Sequence, residues 1–155
     1  MITAPARFLG LFEHSPWVVE RAFADAPFAD AQALHAALLR VVEGAGETAQ
    51  LALIRAHPEL AAREVALTEA SSAEQEGAGL RALSAEEFAR FAALNAAYRE
   101  RFGFPFIICV RLHSKTGILE QFGRRLENDA DTERAAALAE IGRITWLRLQ
   151  DMVAA

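Results

Sequence analysis

The stretch from Ser84 to Gly103, SAEEFARFAALNAAYRERFG, decides the fold class. Ser84 is followed three residues later by Glu87, which is the pattern of a capping box at the start of a helix. Gly103 is the residue type that typically follows a helix end. Between them, apolar and aromatic side chains recur every three or four residues: Phe88, Phe91, Leu94, Tyr98 and Phe102. This period predicts a long helix with one buried face.

The helical period continues on both sides of this stretch. Upstream, Ser15 is predicted to be the N-cap of a first helix, with Pro16 at its first position. A second helix is predicted after Asp30, and a third must end near His57 because Pro58 disfavours α geometry in the residue before it. Further helices are predicted over about Thr116–Leu126 and Asp131–Met152.

Two stretches are less regular. Ser71 with Glu74, and Ser72 with Gln75, both fit the capping-box pattern, so a short helix is predicted to begin there. The apolar run Phe104–Val110, FPFIICV, fits either a buried extended segment or a buried helix start, and the period alone does not decide between them. Altogether the sequence predicts an all-α protein, a compact single domain of six to eight helices over residues 1–155.

Composition excludes several classes of protein. The chain has 155 residues, of which 53% are hydrophobic and 24% charged, and this is too apolar for a disordered chain. Its formal net charge of −5 argues against nucleic-acid binding, which needs a basic face. No apolar run reaches the 18 or so residues of a membrane span, and the N-terminus lacks a signal-peptide core. With a single Cys the chain forms no internal disulfide, so we expect a soluble cytoplasmic protein.

Metal and nucleotide motifs are not evident in the sequence. The four histidines show no i, i+4 pair, and Cys109 lies in an apolar run without ligand spacing. The dinucleotide fingerprint, the nucleophile elbow and the P-loop are all lacking. We therefore expect no metal site.

His57-Pro58 and the cluster Ser71–Gln75 carry the strongest chemical signal. Imidazole titrates near neutral pH and is the commonest general acid or base, and a nearby Glu74 would orient the ring. The structural alternative is that His57 merely ends a helix and Glu74 belongs to an N-cap. The residues alone leave both alternatives open.

Five segments together resemble a known family. They are FEHSPW at 12–17, LIRAHPEL at 53–60, SSAEQ at 71–75 followed by Ala78-Gly79-Leu80, Leu94-Asn95…Tyr98 leading into FGFPFIICV at 102–110, and Glu140-Ile141…Ile144…Arg148-Leu149. In order and content, the chain resembles the 2-oxo-4-hydroxy-4-carboxy-5-ureidoimidazoline (OHCU) decarboxylases over nearly its whole length.

The resemblance implies a function and a set of partners. Members of this family release CO2 from OHCU and give (S)-allantoin, the last step of urate degradation. The resemblance implies that the chain needs no metal or organic cofactor, binds this small-molecule substrate, and forms an all-helical homodimer. No nucleic-acid or membrane partner is implied.

The resemblance also assigns roles to individual residues. His57 is the expected proton donor and Glu74 its catalytic partner. The expected substrate-binding residues are Pro58, Ser71, Ser72, Ala73, Gln75, Phe106, Ile107, Ile108, Cys109, Val110 and Arg148. Of these, the segment 106–110 is expected to bind through its backbone, and Arg148 is expected to hold the substrate carboxylate. For Ser71, capping and substrate contact remain open alternatives, and Cys109 is expected to be a small buried hydrophobe.

Two other functions compete with this one. The chain could be a helical binding module without catalysis that uses the Phe104–Val110 region as a groove, or a lyase acting on a related ureide. We interpret His14, His35 and His113 as structural or surface residues. Arg124 and Arg125 are expected on a solvated helix face, whereas the role of Arg111 stays open.

Overall fold

Residues 1–62 and 67–154 are described by the computed structural model of the chain. Seven α-helices lie in these ranges: α1 Trp17–Ala22, α2 Ala31–Gly44, α3 Glu47–Arg55, α4 Glu69–Gly77, α5 Ala85–Phe102, α6 Lys115–Arg125 and α7 Ala130–Ala154. Within them there is no β-strand, only an isolated antiparallel bridge between Ile2 and Phe28. The prediction of an all-α fold with six to eight helices is confirmed.

Capping explains where several helices begin. At α5 the Ser84 hydroxyl accepts from the Glu87 N–H at 3.1 Å, and the Glu87 carboxylate accepts from the Ser84 N–H at 3.0 Å. Gly103 ends this helix in the left-handed conformation, at φ 76°. Both sequence predictions for α5 are therefore confirmed. At α2 the Asp30 carboxylate accepts from the Ala33 N–H at 2.8 Å, which satisfies one of the unpaired donors of the first turn.

The predicted cap at Ser15 is wrong. The residue flanking α1 is Pro16, which makes no side-chain capping bond. Ser15 instead donates its hydroxyl to the Glu13 carbonyl at 2.8 Å. Because a hydroxyl in this position satisfies a nearby turn just as readily as a helix end, the sequence pattern does not separate the two outcomes.

The predicted start of α4 is also wrong. Thr68 is the N-cap, and its hydroxyl accepts from the Ser71 N–H at 3.2 Å. The helix therefore begins three to four residues earlier than the serines predict, and Ser71 lies inside it. Residues four apart share a helix face, so this frame places Ser71 and Gln75 together on the buried side of α4.

The described residues divide into two compact units. The first unit contains residues 1–56 and 141–154. Its core is built from apolar side chains of α1, α2, α3 and the end of α7, including Val18, Val19, Leu34, Leu38, Leu53, Ile54 and Leu149. At Gly142 a Cβ would come within 3.4 Å of the Leu39 side chain, so α7 approaches α2 closely there. Burial of this apolar surface is the main stabilising contribution.

The second unit contains residues 57–62 and 67–140. An aromatic cluster surrounds Tyr98 on α5, with the rings of Phe102, Phe104, Phe106 and Phe122 at centroid distances of 4.6 to 6.0 Å. Phe106 stacks on Phe122 with centroids 3.9 Å apart. Aromatic pairs of this kind stabilise a core beyond the area that they bury.

The apolar run after α5 is a buried extended segment, not a helix start. Residues 104–109 have no helical assignment, and Cys109 has extended dihedral angles of φ −75° and ψ 91°. A short 3₁₀ turn, Val110–Leu112, follows. The structure thus decides the alternative that the sequence left open.

A helix that crosses a membrane must be both long and apolar. In residues 1–62 and 67–154, no helix combines the length and apolar character that crossing a bilayer requires.

Candidate active site

The segment after α3 carries the predicted proton donor. His57 is 7% exposed, and the half-buried Pro58 follows it. Because the proline ring restricts the backbone of the preceding residue, His57 has little conformational freedom. The described part of the segment, residues 57–62, belongs wholly to the second unit.

One peptide bond in this segment is held from both sides. Asn95 on α5 donates its side-chain amide to the Leu60 carbonyl at 2.8 Å. The Ala61 N–H, which belongs to the same peptide bond, donates to the Gln75 side-chain oxygen on α4 at 3.0 Å. Ala61 has a φ of 58°, in the left-handed region that is unfavourable for a residue with a Cβ. Two helices therefore fix the backbone immediately after the predicted catalytic segment.

Helix α4 carries the predicted substrate-contacting cluster. Ser71 and Gln75 are 5% and 4% exposed, Ser72 and Glu74 are half-buried, and Ala73 is exposed. Since Thr68 is the N-cap, neither Ser71 nor Glu74 belongs to a capping box, and that structural alternative for both residues is excluded. The Gln75 oxygen accepts from Ala61, so its amide nitrogen is the donor that stays available, as no hydrogen bond among the described residues uses it.

The buried backbone groups of the extended segment differ in whether they are hydrogen-bonded. Residues 106 to 110 are all buried. The Ile107 carbonyl accepts from Arg125 at 2.5 Å, and the Cys109 N–H donates to the Glu140 carboxylate at 3.2 Å. In the part of the chain that the structure describes, the backbone groups of Phe106 and Ile108 make no hydrogen bond. Buried peptide groups almost always find a partner, so these are candidates for binding a ligand.

The Cys109 thiol is buried and lies near two carboxylates, one of them on α4. Burial raises the pKa of Cys109, and the carboxylates of Glu140 and Glu74 raise it further. Glu74 is therefore close enough to act on Cys109 through its charge, and α4 contacts the 3₁₀ turn Val110–Leu112. A thiol with a raised pKa stays protonated near neutral pH, so Cys109 is a poor nucleophile.

The three predicted elements thus lie within one unit. The segment 57–62 is joined to α4 by the bond from Ala61 to Gln75, and α4 contacts the 3₁₀ turn that follows the extended segment. Direct contact between His57 and Glu74 stays a prediction.

Arg148, the predicted carboxylate ligand, belongs to the first unit. It is 7% exposed, and its guanidinium donates to the Glu13 carboxylate at 2.7 Å and to the Leu11 carbonyl at 3.1 Å. These two acceptors fix the plane of the guanidinium. The contact with Glu13 is also a buried ion pair, so this carboxylate balances the charge of the guanidinium.

Sequence reasoning missed several polar residues around these segments. Arg125 was expected on a solvated helix face, and that expectation is wrong because it is 8% exposed and bonded to Glu133 and Ile107. Asn95 and Glu140 lie in segments that carry the family resemblance, yet nothing in their spacing indicates which backbone groups they bind. Only the fold shows those partners.

Among residues 1–62 and 67–154, no group of three or more His, Cys, Asp or Glu side chains is arranged to hold a metal ion.

The fold has a counterpart among solved structures. An (S)-allantoin synthase superimposes on 94% of this chain with a TM-score of 0.72 and 31% sequence identity, and the match spans 48% of that protein. The chain therefore has the all-α fold of this synthase, and within it the predicted site residues His57 and Glu74 are buried and half-buried.

The family follows from sequence comparison. Residues 3–150 match the family model of OHCU decarboxylase, and the chain belongs to this family of decarboxylases. It is 43% identical over 141 residues to the 2-oxo-4-hydroxy-4-carboxy-5-ureidoimidazoline decarboxylase of Haloferax volcanii, covering 91% of this chain and 83% of the relative. It is 40% identical over 149 residues to the enzyme of that name from Amia calva, covering 94% and 85%.

Proposed function

We propose that this chain decarboxylates OHCU to (S)-allantoin in the last step of urate degradation, without a metal or organic cofactor, with His57 and Glu74 as its acid–base groups. The observation that carries the proposal is the family match over residues 3–150. The gathering of the segment 57–62, α4 and the extended segment within one unit supports it.

The substrate explains why no cofactor is required. Decarboxylation leaves an electron pair on carbon, and many enzymes recruit pyridoxal phosphate or thiamine to accept it. In OHCU the carboxylate lies β to a ring C=N bond, so the electrons of the breaking C–C bond move onto the ring nitrogen as CO2 leaves. The ring hydroxyl then loses its proton as the carbonyl forms, the neighbouring carbon gains a proton, and the ring nitrogen that received the electrons gains another, so that one proton is taken up for each CO2 released. The protein has to move protons and control the face of protonation.

His57 and Glu74 are suited to that task. His57 is 7% exposed and sits on a backbone restricted by Pro58, so it would deliver a proton from a fixed direction with little competing water. Glu74 is half-buried and would orient the imidazole and exchange protons with it. General acid–base catalysis of this kind contributes about 10²–10⁴ in rate.

The remaining contacts suit a flat substrate rich in amides. The buried backbone groups of Phe106 and Ile108 are rigid donors and acceptors for its ring and ureido groups. Gln75 offers its amide nitrogen, because its oxygen is engaged by Ala61. We assign supporting contacts to the other residues of the predicted set: Pro58, Ser71, Ser72, Ala73, Ile107, Cys109 and Val110.

Arg148 is proposed as the ligand of the substrate carboxylate. Glu13 and the Leu11 carbonyl hold its guanidinium in place. A very tight grip on the carboxylate would stabilise the ground state and slow the reaction, so its main role would be orientation. We also propose a homodimer, which the family resemblance supports, and a cytoplasmic location, which the single Cys supports.

The product's handedness tests the proposed activity. OHCU is generated in situ from urate by urate oxidase and hydroxyisourate hydrolase, and circular dichroism follows the allantoin formed. Because spontaneous decay gives a racemate, we expect a strong (S)-allantoin signal only when the chain is present. Racemic product at the spontaneous rate would refute the proposal and favour a binding module without catalysis.

A further inference from the structure

A buried ion pair lies beneath the extended segment. Arg125 on α6 is 8% exposed and Glu133 on α7 is 0% exposed, and the guanidinium donates to the carboxylate at 2.8 Å. Burying two charges has a large desolvation cost, and apolar residues of similar volume are often as stabilising. Such a pair in the second unit therefore calls for a role besides stability.

One end of the pair is rigidly anchored. The Tyr98 hydroxyl donates to the same Glu133 oxygen at 2.6 Å, and the Asn128 amide donates to the other oxygen at 2.9 Å. Burial and the bond to Glu133 raise the pKa of Tyr98, so its hydroxyl remains a donor. With three donors on one carboxylate, the position of Glu133 is fixed.

The other end holds the extended segment. Arg125 donates a second bond to the Ile107 carbonyl at 2.5 Å, and its guanidinium lies 4.5 Å from the centre of the Phe106 ring. That ring is stacked on Phe122. One side chain thus fixes both the backbone and a ring of two consecutive residues.

We infer that Arg125 is a positioning residue of the decarboxylation. The extended segment has no neighbouring strand among the described residues, so its peptide groups are not aligned by a β-ladder. Instead, Arg125 aligns the segment through its bond to the Ile107 carbonyl and its contact with the Phe106 ring. These contacts set the direction in which the backbone groups of Phe106 and Ile108 point, and those groups bind substrate. This inference rests on the proposed function, since it assumes that the segment contacts OHCU.

Lysine cannot replace arginine in this role. The planar guanidinium spans Glu133 and Ile107 with separate nitrogens, whereas an ammonium is a compact charge on a flexible stem. Arg125→Lys is therefore expected to keep the charge balance with Glu133 and to loosen the segment.

The test compares Arg125→Lys with Arg124→Lys, a change at the exposed neighbour on the same helix. Loss of a hydrogen bond to a charged group predicts a KM for OHCU raised about 10- to 100-fold in Arg125→Lys, with kcat per folded molecule changed much less. Arg124→Lys should match wild type. A purely structural role would lower the folded fraction and leave KM unchanged, and that result would overturn the inference.

A milder variant covers the case in which Arg125→Lys does not fold. Asn128→Ala removes one donor from Glu133 at a half-buried position. It should raise KM by a smaller factor and speed amide hydrogen exchange in the peptide covering residues 104–112. Unchanged KM and exchange in this variant would overturn the inference.

If wild type does not turn over OHCU at all, the proposed function fails. If wild type is active and the KM of the variants is unchanged, only the role of Arg125 fails.

Discussion

The peptide bond between Leu60 and Ala61 is held in place by the side chains of two helices. Its carbonyl is bonded by Asn95 and its N–H by Gln75, while Ala61 is held at a φ of 58°. A backbone conformation that is unfavourable for alanine persists only when its surroundings enforce it. This strained residue lies four positions after His57.

Removing Asn95 should therefore be costly. Asn95→Ala leaves the buried Leu60 carbonyl without its partner, and we expect a loss of about 1–3 kcal/mol in the free energy of unfolding, measured by urea titration. Ala61→Gly is the matched change on the other side of the peptide bond. Because glycine tolerates positive φ, it should not destabilise the protein. A larger loss in Ala61→Gly than in Asn95→Ala would contradict this explanation.

The elements that carry the candidate residues were predictable, and the hydrogen-bond partners of those residues were not. Motifs placed His57, Glu74 and Gln75 in the expected elements, because local sequence carries that information. The burial of Arg125 was missed, since its acceptor on the extended segment lies 18 residues away in sequence. The periodic pattern of a helix indicates on which face a residue lies, but it does not indicate which backbone group that residue contacts.

At the scale of elements, caps decide where helices begin. Ser84 and Glu87 form the predicted capping box at α5. At α4 the N-cap is Thr68, although Ser71 and Ser72 fit the same sequence pattern. Several hydroxyl residues close together compete for one helix end, and the pattern alone does not rank them. The earlier start puts Ser71 and Gln75 on the buried face of α4.

The capping box of α5 gives a prediction with a definite pH dependence. Bonds from the Ser84 N–H and from Lys115 lower the pKa of Glu87. A carboxyl with a lowered pKa in the folded state stabilises the protein above its unfolded-state pKa, and the contribution is lost as the pH falls through the folded-state value. Glu87→Gln should therefore lower the midpoint of thermal unfolding at pH 7, and the difference from wild type should vanish in acid.

Glu86→Gln provides the control, because Glu86 is an exposed carboxylate in the same first turn. It reports the general effect of removing a negative charge near the N-terminus of a helix. If the two variants show the same shift at every pH, the bonds to Ser84 and Lys115 contribute nothing.

At the scale of the whole molecule, periodicity predicted the helical class well. Apolar spacing, caps and Gly103 were sufficient for the helices, because those signals are local. The buried extended segment was ambiguous for a physical reason: its backbone partners are Arg125 and Glu140, far away in sequence, rather than a neighbouring strand. When distant side chains, and not a neighbouring strand, bind the backbone of an extended segment, the local sequence shows no periodic pattern that indicates it.

The central claim is that His57 is the proton donor of the decarboxylation, and its most direct test is kcat for His57→Asn in the circular dichroism assay. We expect kcat to fall by about 10²–10⁴, with product approaching a racemate, because general acid catalysis is lost. His14→Asn, at an exposed histidine, should behave as wild type. If folded His57→Asn keeps the wild-type kcat and still gives (S)-allantoin, His57 is not the proton donor.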